Sequence, residues 1–214
     1  MATTIGNRNL HAALLAAVLS VFIHSAGAAG PALHAELTPM VGYRSGDSFE
    51  DPDTGASLDL DDGANQGAIF NLDYDANTQW EILYSRQDSE LQLAQPFQGQ
   101  SSVDVDIQYV SFGGIYLFHD KMHPGIKPFV GAGIGMTHLS PDGLGSETKP
   151  VLSFVAGYKF FLTENFGLRL EARGYATALE SDAAIFCGNG ACIARVESEG
   201  FWQYELNAGA VLRF

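Results

Sequence analysis

The sequence predicts an all-β fold: an eight-stranded antiparallel up-and-down transmembrane β-barrel. Three observations carry this. The chain closes on an alternating strand of about thirteen residues, Trp202–Phe214, long enough to cross a bilayer at a tilt, which takes roughly 9–11 residues. Seven earlier segments alternate in the same way. The connections between them are strictly short, then long, along the whole chain, as short periplasmic turns and long extracellular loops require.

The first 28 residues read as an export signal. Arg8 supplies the positive end, Leu10 to Ile23 the apolar run, and Ala26-Gly27-Ala28 a small-x-small cleavage site. The domain plan is therefore a signal peptide over 1–28 and a barrel over 29–214. The apolar run is shorter than the roughly 20 residues that a spanning helix needs.

The strands follow in order. Ala35–Ser45 sets Leu37, Val41 and Tyr43 against Glu36, Thr38 and Arg44. Gly67–Asp75 sets Phe70, Leu72 and Tyr74 against Asn71 and Asp73, and Thr78–Gln87 sets Trp80, Ile82 and Tyr84 against Glu81 and Ser85. Val103–Phe118 begins with Val103, Val105, Ile107 and Tyr109 opposite Asp104, Asp106 and Gln108. Its second half, through Phe112-Gly-Gly, loses the pattern and predicts a bulge or kink. Lys127–His138 alternates Val130, Ala132, Ile134 and Met136 with three glycines. Val151–Leu162 sets Phe154, Tyr158 and Phe160 against Ser153 and Lys159, and Phe166–Thr177 sets Leu168 and Leu170 against Arg169, Glu171 and Arg173. The last strand sets Trp202, Tyr204, Leu206, Leu212 and Phe214 against Gln203, Glu205 and Asn207. Such period-2 patterns mark strands between two solvents. The apolar side is read as lipid-facing, and Tyr43, Tyr74, Trp80, Tyr84, Tyr109, Tyr158, Phe160, Phe166, Trp202 and Phe214 are assigned to it as interfacial girdles. The rival fold is a soluble sandwich, which must explain the charges on the opposite face.

Those charges are the main candidate site: Glu36, Arg44, Asp73, Glu81, Lys159, Arg169, Glu171, Arg173 and Glu205. An Arg or Lys on the lipid side at mid-membrane costs about 2–4 kcal/mol, so they are expected to face the lumen. An eight-stranded barrel has an interior that side chains fill. The expectation is a salt-bridged plug without a diffusion pore; the alternatives are a narrow channel or an acid–base cluster.

The connections Gly46–Gln66, Asp88–Ser102, Leu139–Pro150 and Ala178–Gly200 are read as extracellular loops. The first is densely acidic, with Asp47, Glu50, Asp51, Asp53, Asp59, Asp61 and Asp62. Its oxygen ligands would suit Ca²⁺ or Mg²⁺, but the spacing matches no EF-hand, so it is read as a solvated loop and no metal is assigned. In the fourth, Cys187 and Cys192 flank Gly-Asn-Gly. In an exported protein they are expected to form a disulfide. The net charge of −14, or −15 without Arg8, excludes the basic surface that nucleic-acid binding requires.

Two resemblances add to this reading. Asn207, Gly209, Leu212 and Phe214 fill the positions of the C-terminal assembly signal of bacterial outer-membrane barrels. Together with Thr38-Pro-Met-Val-Gly-Tyr-Arg44 and Lys127-Pro-Phe-Val-Gly-Ala-Gly-Ile-Gly135, they make residues 35–214 resemble the small OmpA/OmpX-type outer-membrane β-barrel family. The resemblance implies outer-membrane localisation, a monomer, no cofactor, and contact with lipid, lipopolysaccharide and the barrel-assembly machinery. It also implies a non-enzymatic role in envelope structure or in binding an extracellular ligand through the loops. No periplasmic peptidoglycan-binding domain is expected after Phe214. Separately, His138-Leu-Ser140 looks like the His-x-Ser of outer-membrane lipid A deacylases, in which His is the general base to a Ser nucleophile. Pro141 stands where those enzymes carry Asn, and only Glu147 or Glu164 offers an acid. The favoured reading is non-enzymatic, a strand end entering a Pro-Asp-Gly turn.

Overall fold

A computed structural model describes residues 33–214 except positions 46–47, 51–56, 98–99, 120–121, 124, 144, 179–182, 189–190 and 197–199; the side chains of 46–59, 93–101 and 179–199 are likewise outside it. The export-signal reading of residues 1–28 therefore lies outside the described residues.

Among the described residues twelve strands follow one another: β1 (Ala35–Arg44), β2 (Ser48–Glu50), β3 (Ser57–Leu60), β4 (Gly63–Asp73), β5 (Thr78–Phe97), β6 (Gln100–Leu117), β7 (Ile126–Pro141), β8 (Glu147–Phe161), β9 (Phe166–Ala178), β10 (Ala183–Gly188), β11 (Ala191–Val196) and β12 (Gly200–Arg213). Eight of them close a ring, β1-β4-β5-β6-β7-β8-β9-β12, with each strand antiparallel to the next barrel strand in sequence. Closure leaves no unpaired edge inside the bilayer. The ends are clasped: Ala35 N–H donates to the Phe214 carbonyl at 3.0 Å and Phe214 N–H to the Ala35 carbonyl at 2.9 Å.

Two turns at this end, over 74–77 and 162–165, are tight. In the first, the Asp75 carboxylate accepts the backbone N–H groups of Asn77 and Thr78, each at 2.8 Å. The Asn77 N–H, with Thr78 beside it, lowers the pKa of Asp75. At the opposite end the strands run further than their sequence pattern suggested. The stretches read as loops hold β2 and β3, the upper half of β5, the start of β6 at Gln100–Ser102, and the β10–β11 hairpin. That hairpin forms a two-stranded sheet of its own, with Cys187 directly opposite Cys192. Between β7 and β8, Gly143 takes a φ of 76°, a left-handed turn conformation open to glycine.

The structure corrects two readings of β6. Its pairing with β5 and β7 continues without a shift through Ser111–Ile115, so there is no bulge at the two glycines. Tyr109 is not a girdle residue, because it is fully buried in the barrel. Alternation persists along the whole strand but changes sign. Val110, Phe112 and Tyr116 point out in the lower half, whereas Val103, Val105, Ile107 and Tyr109 point in above it. The upper half stands in water rather than lipid, so apolar side chains turn inward and acidic ones outward.

The switch follows one row of paired positions. Gln66, Arg86, Gln108, His138 and Thr148 are successive partners across β4 to β8 and all face outward. The row beneath them, Ala68, Tyr84, Val110, Met136 and Pro150, is apolar apart from the Tyr84 hydroxyl, which donates upward to Gln108 at 3.3 Å. A tyrosine with an apolar body and a polar tip suits the hydrocarbon–headgroup boundary.

Candidate functional site

The inward charges gather into three linked centres along the barrel. Uppermost, Arg44 on β1 donates through Nε and a terminal nitrogen to Glu205 on β12, at 3.0 and 2.8 Å, and also to Ser85. Glu205 further accepts from Asn65 at 2.6 Å, and from Tyr175 and Asn207 at 2.8 Å each. In the middle, Glu81 receives Arg169 at 2.8 Å and Arg173 at 2.6 Å, while Glu171 receives the same two arginines at 2.6 and 3.1 Å. Lowest, Glu36 receives Lys159 at 2.6 Å and Arg213 at 3.0 and 2.6 Å. Two asparagines join the centres. Asn207 reaches both Glu205 and Glu171, and Asn71 reaches Glu81 while accepting from Arg169 and Lys159. Asp73, at the periplasmic mouth, accepts from Gln79 at 2.7 Å and lies 3.3 Å from His34, and Gln79 links it to Glu36 and Lys159 of the lowest centre.

Packing explains how long side chains fit. A Cβ on Gly42 would strike Asn207, and one on Gly157 would meet the Phe129 ring at 2.8 Å. That ring lies 4.4 Å beneath the Arg169 guanidinium. Above the charges, Tyr109 and Tyr175 stack at 4.1 Å, with the Arg44 guanidinium 4.7 Å from the Tyr109 ring. The Tyr109 hydroxyl donates to Gln203 at 2.5 Å. Over this lid sits an apolar core that includes Leu91, Val105, Ile107, Leu139, Val151 and Phe201.

The lumen is thus plugged twice, by four glutamates set against five cations and by an aromatic and aliphatic cap. Planar-bilayer recordings are expected to show no stable open level; a large, persistent conductance would overturn this. Sequence reasoning did not single out Arg213, Tyr175 or the amides Asn65, Asn71 and Gln79. The amides gave no signal beyond polarity at inward positions.

His138 and Ser140 face outward at the top of β7. Ser140 Oγ lies 3.1 Å from His138 Nε2, and His138 Nδ1 lies 2.9 Å from the Thr148 hydroxyl. The pair exists, but a threonine occupies the place of the orienting acid. Glu147 instead pairs with Lys149 at 3.1 Å. Ser140 borders a cleft of about 640 Å³ walled by Asp61, Asp88, Glu90, Asp104, Asp106 and Asp142. Carboxylates there oppose a developing oxyanion. Arg86 crosses the cleft wall to Asp88 at 2.9 Å and Asp106 at 2.8 Å. Among the described residues no group of three or more His, Cys, Asp or Glu side chains is arranged to hold a metal ion. Asp47, Glu50, Asp51, Asp53 and Asp59 have side chains outside the described set, as do Cys187 and Cys192.

A family model described as outer membrane protein beta-barrel domain matches residues 13–214. The chain belongs to this family. As an outer-membrane β-barrel it resides in the bacterial outer membrane. Its fold is similar to that of Neisserial surface protein A, with a TM-score of 0.54 and 15% identity over 86% of this chain and 100% of that one. The outer membrane protein OprG of Pseudomonas aeruginosa gives 0.56 and 12%, over 85% and 95%. The N-terminal β-barrel domain of OprF from the same organism gives 0.50 and 15%, over 85% and 97%. At these identities the likeness concerns the fold. No curated protein matches the sequence.

Proposed function

We propose that this outer-membrane barrel is a non-enzymatic protein of envelope structure or surface interaction, acting through its acidic extracellular end. The observation that carries the reading is the raised upper barrel. β5 and β6 run 20 and 18 residues, well beyond the apolar belt, and turn Asp88, Glu90, Asp104 and Asp106 outward around a sealed interior. A rigid stalk of this kind holds its loops away from the bilayer, where rigid scaffolds place binding residues. Lipid and lipopolysaccharide surround the monomer, the barrel-assembly machinery inserts it, and an extracellular ligand meets the loops. A Cys187–Cys192 disulfide staples the β10–β11 hairpin.

The hydrolase reading rests on the Ser140–His138 hydrogen bond alone, and the channel reading has both plugs against it. A deletion strain tests the proposal. It is expected to lose surface adhesion or gain permeability to bulky dyes, with rescue by the wild-type gene but not by one whose β5–β6 tip is replaced with a short turn. Unchanged adhesion and permeability in the deletion strain would overturn the proposal.

A further inference from the structure

We infer that the lipid-facing wall holds a specific groove for one acyl chain of an outer-leaflet lipid. The groove encloses about 720 Å³ on the extracellular half of the barrel, between Ile134 and Met136 on β7, Pro150 and Leu152 on β8, and Trp202 on β12. Its floor is formed where β9 carries Ala176 and Ala178 and β12 begins at Gly200. Lower on the same strands two further depressions occur, about 660 Å³ around Ala156, Ala172 and Ala208 and about 450 Å³ around Ala208 and Ala210; what marks this one is that it adjoins His138 and Thr148 of the boundary row.

What covers it is set by position. The groove lies inside the apolar belt, below the boundary row that contains His138 and Thr148, and is continuous with the surface already in contact with the bilayer. Left empty, it would forfeit dispersion contacts along its walls. Lipid tails are as apolar as leucine, so burial alone does not favour one chain over another, and fit and polar contacts decide. Both are present. His138 stands one outward position above Met136, and Thr148 one above Pro150, and the two are bonded to each other at 2.9 Å. They place hydroxyl and imidazole groups at the groove's upper end, where the ester or amide linkage of a lipid would lie. The carboxylates around Ser140 make an uncharged linkage, rather than a bare phosphate, the group suited to this position.

The chain has two tryptophans, Trp80 and Trp202, and only Trp202 lines the groove. Trp80 stacks on Phe112 across the β5–β6 wall. Full-length W80F and W202F proteins in vesicles containing rising fractions of brominated-acyl phospholipid therefore report groove and ordinary belt separately. Half-maximal quenching of Trp202 is expected at a brominated fraction roughly threefold lower than for Trp80, because only fit and polar contacts add to the common lipid contact. Adding A176L to W80F fills the floor and is expected to remove that advantage. Heat-modifiable gel migration checks that each variant remains a folded barrel. Equal quenching of Trp80 and Trp202, or an advantage that survives A176L in a folded barrel, would overturn the inference.

Discussion

Glu205→Leu is expected to destabilise the barrel by roughly 3–5 kcal/mol, the cost of stripping the partner from a buried charge. Arg44 is fully buried and its ionic partner is Glu205. Leucine would leave the guanidinium with Ser85, Gln87 and two tyrosine faces, and leave Asn65, Tyr175 and Asn207 without the carboxylate they now address. Urea unfolding in lipid vesicles, followed by gel migration, measures the change. A companion substitution, Glu147→Ala, breaks a partly exposed pair with Lys149 and should cost below about 1 kcal/mol. If Glu205→Leu were as mild, water would be taking the carboxylate's place and the upper centre would not be a sealed network.

Removal of Phe214 is expected to lower the outer-membrane level severalfold while leaving the folded barrel only modestly weaker. The side chain is mostly exposed, and the residue's structural contribution is the pair of backbone hydrogen bonds with Ala35. Each such bond is worth about 0.5–1.5 kcal/mol net. A large loss in cells beside a small loss in vitro would locate the effect in recognition by the assembly machinery. Normal outer-membrane levels of the truncated protein would remove that role. Asn207 and Gly209, counted with Phe214 as the assembly signal, also face inward: Asn207 bridges two glutamates, and a Cβ on Gly209 would press on Thr38 and the Pro39 carbonyl. Substituting them mixes recognition with packing, whereas Phe214 separates the two.

The eight barrel strands and their order were legible because period-2 alternation is local, and a charge on the lipid side is too costly to hide. The failures share one cause. Alternation assigns two faces but does not name the solvent on each. On β6 the apolar residues were taken as lipid-facing throughout, which put Tyr109 outside and made the lower half look irregular. In fact Tyr109 and Val110 bracket the point where the outer medium changes, and the pattern inverts without a break. The same assumption shortened β5, since Asp88 and Glu90 looked like loop residues rather than the wet face of a strand. Within the lumen, the charged residues other than Arg213 were readable by their cost and neutral amides were not, although Asn71 and Asn207 connect the centres.

The raised acidic collar also constrains the order of events during insertion. Asp88, Glu90, Asp104 and Asp106 end on the far side of the bilayer from the clasped termini. Each would be costly to drag through hydrocarbon. The finished lumen, packed with its own ions and capped by rings, offers them no passage. The β5–β6 hairpin must therefore cross before the interior sets. The plug that fills the mature barrel is the last part of it expected to form.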